Sequence, residues 1–255
     1  MKQIVSSLVI AFSMYSKIPM PKVEWSKENM KYVMCFFPLV GVVLGGVVYL
    51  WSSFFSALAM SRIFYTVIVI LIPLLLTGGI HMDGFMDTTD ALSSYQPREK
   101  KLEILKDPNT GAFAVIACVS YFLLTFGFWY ELSNEAIPIV AIGFVISRAF
   151  SGLAVVSFPM AKNSGLAATF SSEAHKQRTR VVMIMFILAA ACSMLFINWR
   201  LAVICLLGVL LLFAYYYRMS VKEFGGITGD LAGYFLQLCE LMIVIGAVVG
   251  GKLCG

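Results

Sequence analysis

The sequence predicts an all-α integral membrane protein. It should have about seven transmembrane helices, an N-terminal amphipathic or re-entrant helix, and an active site at the cytoplasmic edge. Three observations carry this. The 255 residues are 60% hydrophobic and 13% charged, whereas a soluble domain usually carries about 25% charged residues. Seven apolar runs are long enough to be crossings. Once those runs are laid across a bilayer, nearly all basic residues fall on one side.

The chain opens with KQIVSSLVIAFSMYSKIPMPK, in which Ile4, Val5, Leu8, Val9 and Phe12 share one helical face. The segment is too short to span and has no small-residue cleavage site before Lys17. It predicts a retained amphipathic or re-entrant helix rather than a cleaved signal. A crossing needs about 20 mostly apolar residues. The candidates are 32–55, 63–80, 111–130, 136–158, 181–199, 201–217 and 231–250. The fifth and sixth are joined by a tight Asn198-Trp199-Arg200 turn, which predicts an antiparallel pair. Pro38 and Pro73 lie within the first two candidates, where proline kinks a helix or frees backbone carbonyls. The six cysteines contain no CxxC pair, and five lie in apolar runs. They read as small buried hydrophobes, not as a disulfide framework or a metal site.

With seven crossings, fifteen Lys and Arg fall on one side, and three (Arg62, Arg200 and Lys252) on the other. Arg148 lies within a crossing. Basic loops stay in the cytoplasm. The N-terminus and the loops 81–110, 159–180 and 218–230 are therefore expected inside, with no external domain. Residues 1–255 read as a single polytopic membrane domain. There is no internal repeat, low-complexity tract or nucleic-acid motif. The net charge of +5 comes from the inner loops and suits lipid headgroups or a polyanionic substrate.

All long polar segments thus face one side, and one of them is unusual. Residues 78–92 read GGIHMDGFMDTTDAL, directly after a strongly apolar run. Asp83, Asp87 and Asp90 are spaced i, i+4, i+7, which puts three carboxylates on one helical face. Like charges so placed need full solvation, protonation or a bound cation. Oxygen ligands favour Mg²⁺, Mn²⁺ or Ca²⁺ over zinc. A solvated loop with a helix cap accounts for one aspartate but poorly for three beside a Gly78-Gly79 break. His81 is either a ligand or general base, or simply a hydrogen-bonded interfacial histidine.

Three further segments bear on the site. FGGITGDLAGY (224–234) offers Gly225, Gly226, Thr228 and Gly229 as a loop that phosphate oxygens can approach, before a helix start. Asp230 there is a candidate further metal ligand. KDPNTGAF (106–113) enters the third crossing, and Lys106 and Arg98 are placed to meet phosphate if this loop folds over the aspartates. Arg148 and Glu240 lie within crossings, where ionisable residues face the bundle interior or water. They either pair with each other, or Arg148 faces a cavity and grips a phosphate.

On these residues the chain resembles the cobalamin synthase family, the adenosylcobinamide-GDP ribazoletransferases. The family pattern Gly-Gly-x-His-x-Asp-Gly-x-x-Asp-x-x-Asp-Ala is filled by Gly78, Gly79, His81, Asp83, Gly84, Asp87, Asp90 and Ala91. SKIPMPK, FFPLVG, KDPNTGAFAV, SRAF, the Gly165 loop and GGITGD follow the family order. Many members carry arginine at the position of Lys17. The resemblance runs from about residue 7 to 245. It implies a Mg²⁺-dependent transferase of the bacterial cytoplasmic (inner) membrane. Such an enzyme condenses adenosylcobinamide-GDP with α-ribazole or its 5′-phosphate and releases GMP. The implied chemistry is attack of an alcohol on a phosphate, with Asp83, Asp87, Asp90 and Asp230 at the metal. His81 or an aspartate would be the base. Lys17, Arg98, Lys106, Arg148 and the loop glycines would lie on substrate. The implied partners are these substrates and the lipid bilayer, and a homo-oligomer stays open. The rival class is a secondary transporter coupling cations or protons through Asp83, Asp87 and Asp90. Transporters tend to show inverted repeats and charged sites near the midplane; no repeat is found here, and these aspartates fall at the cytoplasmic edge.

Overall fold

The computed structural model describes residues 2–55, 60–161, 172 and 174–254. Lys162 and Gly165, which belong to the expected inner loop, lie outside them. The described chain is helical, with one isolated bridge pairing Met160 and Ile227.

Helix α1 (Lys2–Tyr15) forms where the amphipathic segment was expected. Its inner face carries Ser7, Val9, Ile10, Ala11 and Phe12, while Ile4 and Val5 are exposed. The predicted apolar stripe is therefore split: one half packs on protein and the other is left for lipid. A short helix α2 (Lys27–Met30) and a 3₁₀ turn lead into α3 (Phe37–Phe55). Pro38 falls in the first turn of α3 and makes no interior kink, because there its missing N–H has no partner to lose.

Helix α4 (Arg62–Thr77) has Pro73 one turn before its end, and the Thr77 hydroxyl bonds the Pro73 carbonyl at 2.7 Å. It stops at Gly78, whose φ of +65° favours glycine. Helix α5 (Ile80–Ser93) then leaves at 93°. A short α6 (Arg98–Ile104) precedes α7 (Ala112–Glu131) and α8 (Ile137–Ser157). Gly41 and Gly45 let α3 lie backbone to backbone on α8, since a Cβ at either would collide with the Phe144 or Ala141 carbonyl. Helix α8 is enclosed by protein on nearly all sides and forms the core of the bundle.

Helix α9 (Lys176–Met219) has non-helical backbone at Asn198, with φ −155° and ψ 101°. The Asn198 side chain caps the second limb by accepting from the Leu201 N–H at 3.2 Å. The two limbs turn back on each other. Arg180 donates to the Val156 carbonyl at 2.9 Å, and Phe213 packs on Phe150 with ring centres 5.0 Å apart. Both limbs thus end beside the same end of α8, as the expected antiparallel pair requires. A π turn (Ser220–Phe224) leads to α10 (Gly229–Cys254).

Among the described residues, five helical runs are long and apolar enough to cross a membrane, or six if α4 and α5 are taken as one bent span. Cys35, Cys205 and Cys239 are buried as expected, but Cys192 is exposed on the outward face of α9.

Candidate active site

The Gly78-Gly79 break decides where the carboxylates go. Gly79 also has positive φ, at +78°, so the chain turns sharply and α5 starts afresh. The apolar side of α5, Met82 and Phe85, packs on Tyr121 of α7 and Leu241 of α10. Its acidic side carries Asp83, which is exposed, and Asp87 and Asp90, which are partly buried.

The position of α10 against this face is set by two glycines. A Cβ on Gly84 would lie 2.7 Å from the Asp230 carbonyl oxygen, and one on Gly233 would lie 3.0 Å from the His81 carbonyl oxygen. The two helices therefore touch through their backbones, which brings Asp230 onto the acidic face. Asp87 is partly buried and feels the negative charges of Asp83, Asp230 and Asp90. That set of charges is costly without a cation. The Asp90 carboxylate also lies against Gly111, at the amino end of α7, where a helix favours negative charge.

The residues fit a metal in a particular way. On one helix, Asp83 and Asp90 are separated by a rise of about 10 Å. Among the described residues, no three His, Cys, Asp or Glu side chains form a ready-made metal cage. Mg²⁺ does not need one: it usually takes one or two carboxylates, waters and substrate phosphates. The acidic face suits that open mode.

His81 is placed elsewhere. Two residues before Asp83 is about 200° around the helix. Its ring is 4% exposed and sits against Tyr15 and Phe37, at ring-centre distances of 6.1 and 6.0 Å. Its Nε2 has no hydrogen-bond partner among the described residues. The structure does not bring His81 onto the acidic face.

Arg98 and the glycine loop do come together. The Arg98 guanidinium lies directly over Gly225, in space that any side chain there would fill. Beside it, Lys101 donates to Glu223 at 2.5 Å and fastens α6 to the π turn. The loop's own N–H groups are engaged internally. Gly225 and Gly226 donate to the carbonyls of Val221 and Ser220, and Ile227 donates to Pro159 at 2.8 Å. Thr228 accepts from the Leu231 N–H at 3.2 Å and caps α10, with Gly229 as the first helical residue. A phosphate cradle built from the backbone of residues 225–227 is thus not what this loop offers. Lys106 is exposed, and its side chain has no partner among the described residues.

Arg148 is fully buried and binds Glu240 at 2.7 Å; it also donates to the Phe144 carbonyl and the Ser147 hydroxyl, while its Nε has no hydrogen-bond partner among the described residues. Of the two arrangements open from sequence, the structure shows the ion pair, because a buried guanidinium needs a counter-charge. Lys17 is exposed. Its stem lies across Gly78, and its N–H donates to the Leu76 carbonyl at 2.7 Å.

Sequence reasoning missed two contacts: Gly84 on Asp230, and Asp90 on Gly111. The signal for the first was there, since Gly84 and Gly233 each sit beside the residues they bring together. Nothing in the spacing told which carboxylate would meet the start of α7.

Fold and site define a multi-pass helical membrane protein with a carboxylate cluster where a helix breaks and three other segments converge. Residues 7–248 match the family model described as cobalamin-5-phosphate synthase. The chain belongs to that family. The adenosylcobinamide-GDP ribazoletransferase of Lachnoclostridium phytofermentans is 49% identical, over 96% of this chain and 94% of the relative. Its namesakes in Clostridium perfringens and a Geobacillus species are 34% and 30% identical, over 94% of this chain in each case. No solved structure matches.

Proposed function

We propose that this chain condenses adenosylcobinamide-GDP with α-ribazole or its 5′-phosphate and releases GMP. The reading rests on the family and on one observation above all: Gly84 lets Asp230 join Asp83, Asp87 and Asp90 around one face. Such a face suits a cation shared with phosphates, as the attack of an alcohol on a pyrophosphate needs.

In this reading one or two of Asp83, Asp87, Asp90 and Asp230 would hold a Mg²⁺ ion, with substrate phosphates and water completing its ligands. The bound ion supplies neutralisation of the pyrophosphate and of the departing GMP. A ribazole hydroxyl oxygen forms a bond to the phosphorus that carries cobinamide. The P–O bond to GMP breaks, and its electron pair leaves with GMP. An α5 carboxylate takes the hydroxyl proton, since His81 is turned away. Arg98, over Gly225, and Lys106 supply positive charge to the donor phosphates. Gly226, Thr228 and Gly229 hold the loop and start α10.

The same reading places the protein in the bacterial inner membrane as one polytopic domain. It has seven crossings: α3, α4, α7, α8, the two limbs of α9, and α10. The N-terminus, α5 and α6 are on the cytoplasmic side. Support comes from the fifteen-to-three split of basic residues and from the return of α9 at Asn198.

The test is GMP release by membranes carrying the chain, given adenosylcobinamide-GDP, α-ribazole and Mg²⁺. Release should need all three additions. A rate no higher than that of membranes lacking the chain would overturn the proposal.

A further inference from the structure

An opening borders the acidic face at Asp83. It lies between α1 and the corner where α4 turns into α5, and holds about 560 Å³. Its polar lining includes both Lys17 and Asp83. Its apolar lining includes Met14, Leu74, Met82 and Met86. This is an amphipathic cleft, lined by a cation, a carboxylate and deformable apolar side chains.

Each part has a structural cause. The backbone of Lys17 is clamped to the end of α4 by its bond to the Leu76 carbonyl. Its side chain can lie along the cleft because position 78 has no Cβ, and a Cβ there would take the place of the lysine stem. Methionine side chains adapt to flat ligands through three rotatable bonds and a polarizable sulfur. Of the acidic cluster only Asp83 lines the cleft; Asp230 lies on α10 beside Gly84 and Asp90 against Gly111.

We propose that this cleft is the acceptor subsite, and that Lys17 reads the 5′-phosphate of the ribazole. The inference rests on the proposed function and adds which substrate enters where. The cleft volume falls in the range of about 300–1,000 Å³ typical for a drug-sized ligand. A benzimidazole nucleotide is such a ligand. The donor, with a corrin ring, an adenosyl arm and a nucleotide, is several times larger. The acceptor is also the substrate with a flat apolar base for the methionines and, when phosphorylated, a monoester anion for Lys17. Placed so, its ribose hydroxyls share the cleft with Asp83. A lysine bound to a phosphate makes a charge-assisted hydrogen bond, which is roughly twice as strong as a neutral one. Lys17 then sets a preference for α-ribazole 5′-phosphate over α-ribazole. A lipid headgroup offers the same phosphate chemistry at this depth, so the test separates the two sources.

The quantity to measure is the ratio of kcat/KM for α-ribazole 5′-phosphate to that for α-ribazole, in wild type, Lys17→Gln and Lys17→Arg. A ratio within one preparation cancels any loss of folded protein. Lys17→Gln should lower it by about tenfold or more, and Lys17→Arg should keep most of it. The assay is run in neutral detergent and in vesicles containing phosphatidylglycerol. A Lys17→Gln ratio within twofold of wild type in both media overturns the inference. So does an effect of the substitution that follows phosphatidylglycerol content while the ratio stays fixed, which would assign Lys17 to lipid. Wild-type protein that turns over neither acceptor would instead overturn the proposed function.

Discussion

Asp87 is central to the proposed site, because it is partly buried and three other carboxylates act on it. Removing one charge relieves that repulsion, so Asp87→Asn should insert normally and be at least as stable as wild type. Its activity should nevertheless fall about 100-fold or more, since a group that helps stabilise transition-state charge is gone. Asp83→Asn and Asp230→Asn should behave alike, and raising Mg²⁺ should restore part of each loss. GMP release across a Mg²⁺ series, beside melting in detergent, reads both quantities. Wild-type turnover at low Mg²⁺ in all three variants would sink the cation site. Gly84→Ala tests the geometry instead of the charge. Its new methyl would lie 2.7 Å from the Asp230 carbonyl, forcing α5 and α10 apart at a cost of about 1–3 kcal/mol. The expected result is lower thermal stability together with lower activity, although no carboxylate is touched. The three aspartates of α5 were legible from their spacing, because helical period fixes a face. The position of His81 was legible too, had the same period been applied to it. Asp230 was legible as a candidate but not as a neighbour, because that depends on how closely two backbones approach.

At the scale of elements, the Arg148–Glu240 pair joins α8 to α10 in the most enclosed part of the bundle. Deleting one partner leaves the other charge buried and unpaired, which costs about 3–5 kcal/mol. Arg148→Leu and Glu240→Leu should therefore each destabilise strongly. The double variant should recover much of the stability, because well-packed apolar residues often replace a buried pair at little cost. If the pair is purely structural, activity returns with stability. A double variant that melts like wild type yet releases no GMP would show that Arg148 also serves the substrate. Other elements show what sequence conveys and what it omits. The apolar runs gave helices with small errors at the ends. The Asn198 turn was readable from a polar tripeptide inside an apolar stretch. Pro38 does not kink a helix interior, because a 3₁₀ turn before it moves the helix start to Phe37. Proline in a first turn costs nothing that an interior proline would. The bend between α4 and α5 was signalled by two glycines, but its angle of 93° depends on both taking positive φ.

For the molecule as a whole, the two ends differ in kind. At one end Arg62 donates to the Leu132 carbonyl and Lys252 pairs with Glu131 at 2.6 Å, tying short connections together. At the other end lie the acidic face, α6, the glycine loop and the contact of Arg178 with the Tyr32 hydroxyl at 2.7 Å. Among the described residues, the long polar segments belong to this second end. A nucleotide-linked donor and a charged acceptor do not cross a bilayer unaided, so a site that uses them belongs on the side where they are made. The basic bias points the same way, because positively charged loops are retained in the cytoplasm. The expected topology is N-terminus inside, Ser133 outside and Lys222 inside. Both positions are exposed, Lys222 at 83%. Single cysteines at Ser133 and at Lys222 can be probed with a membrane-impermeant maleimide in intact cells and again after permeabilisation, in a background lacking the exposed Cys192. Ser133→Cys should label in intact cells and Lys222→Cys only after permeabilisation. The reverse pattern would put the carboxylate face outside. The acceptor and donor would then have to be exported before they could react, and the proposed reaction would fail along with the topology.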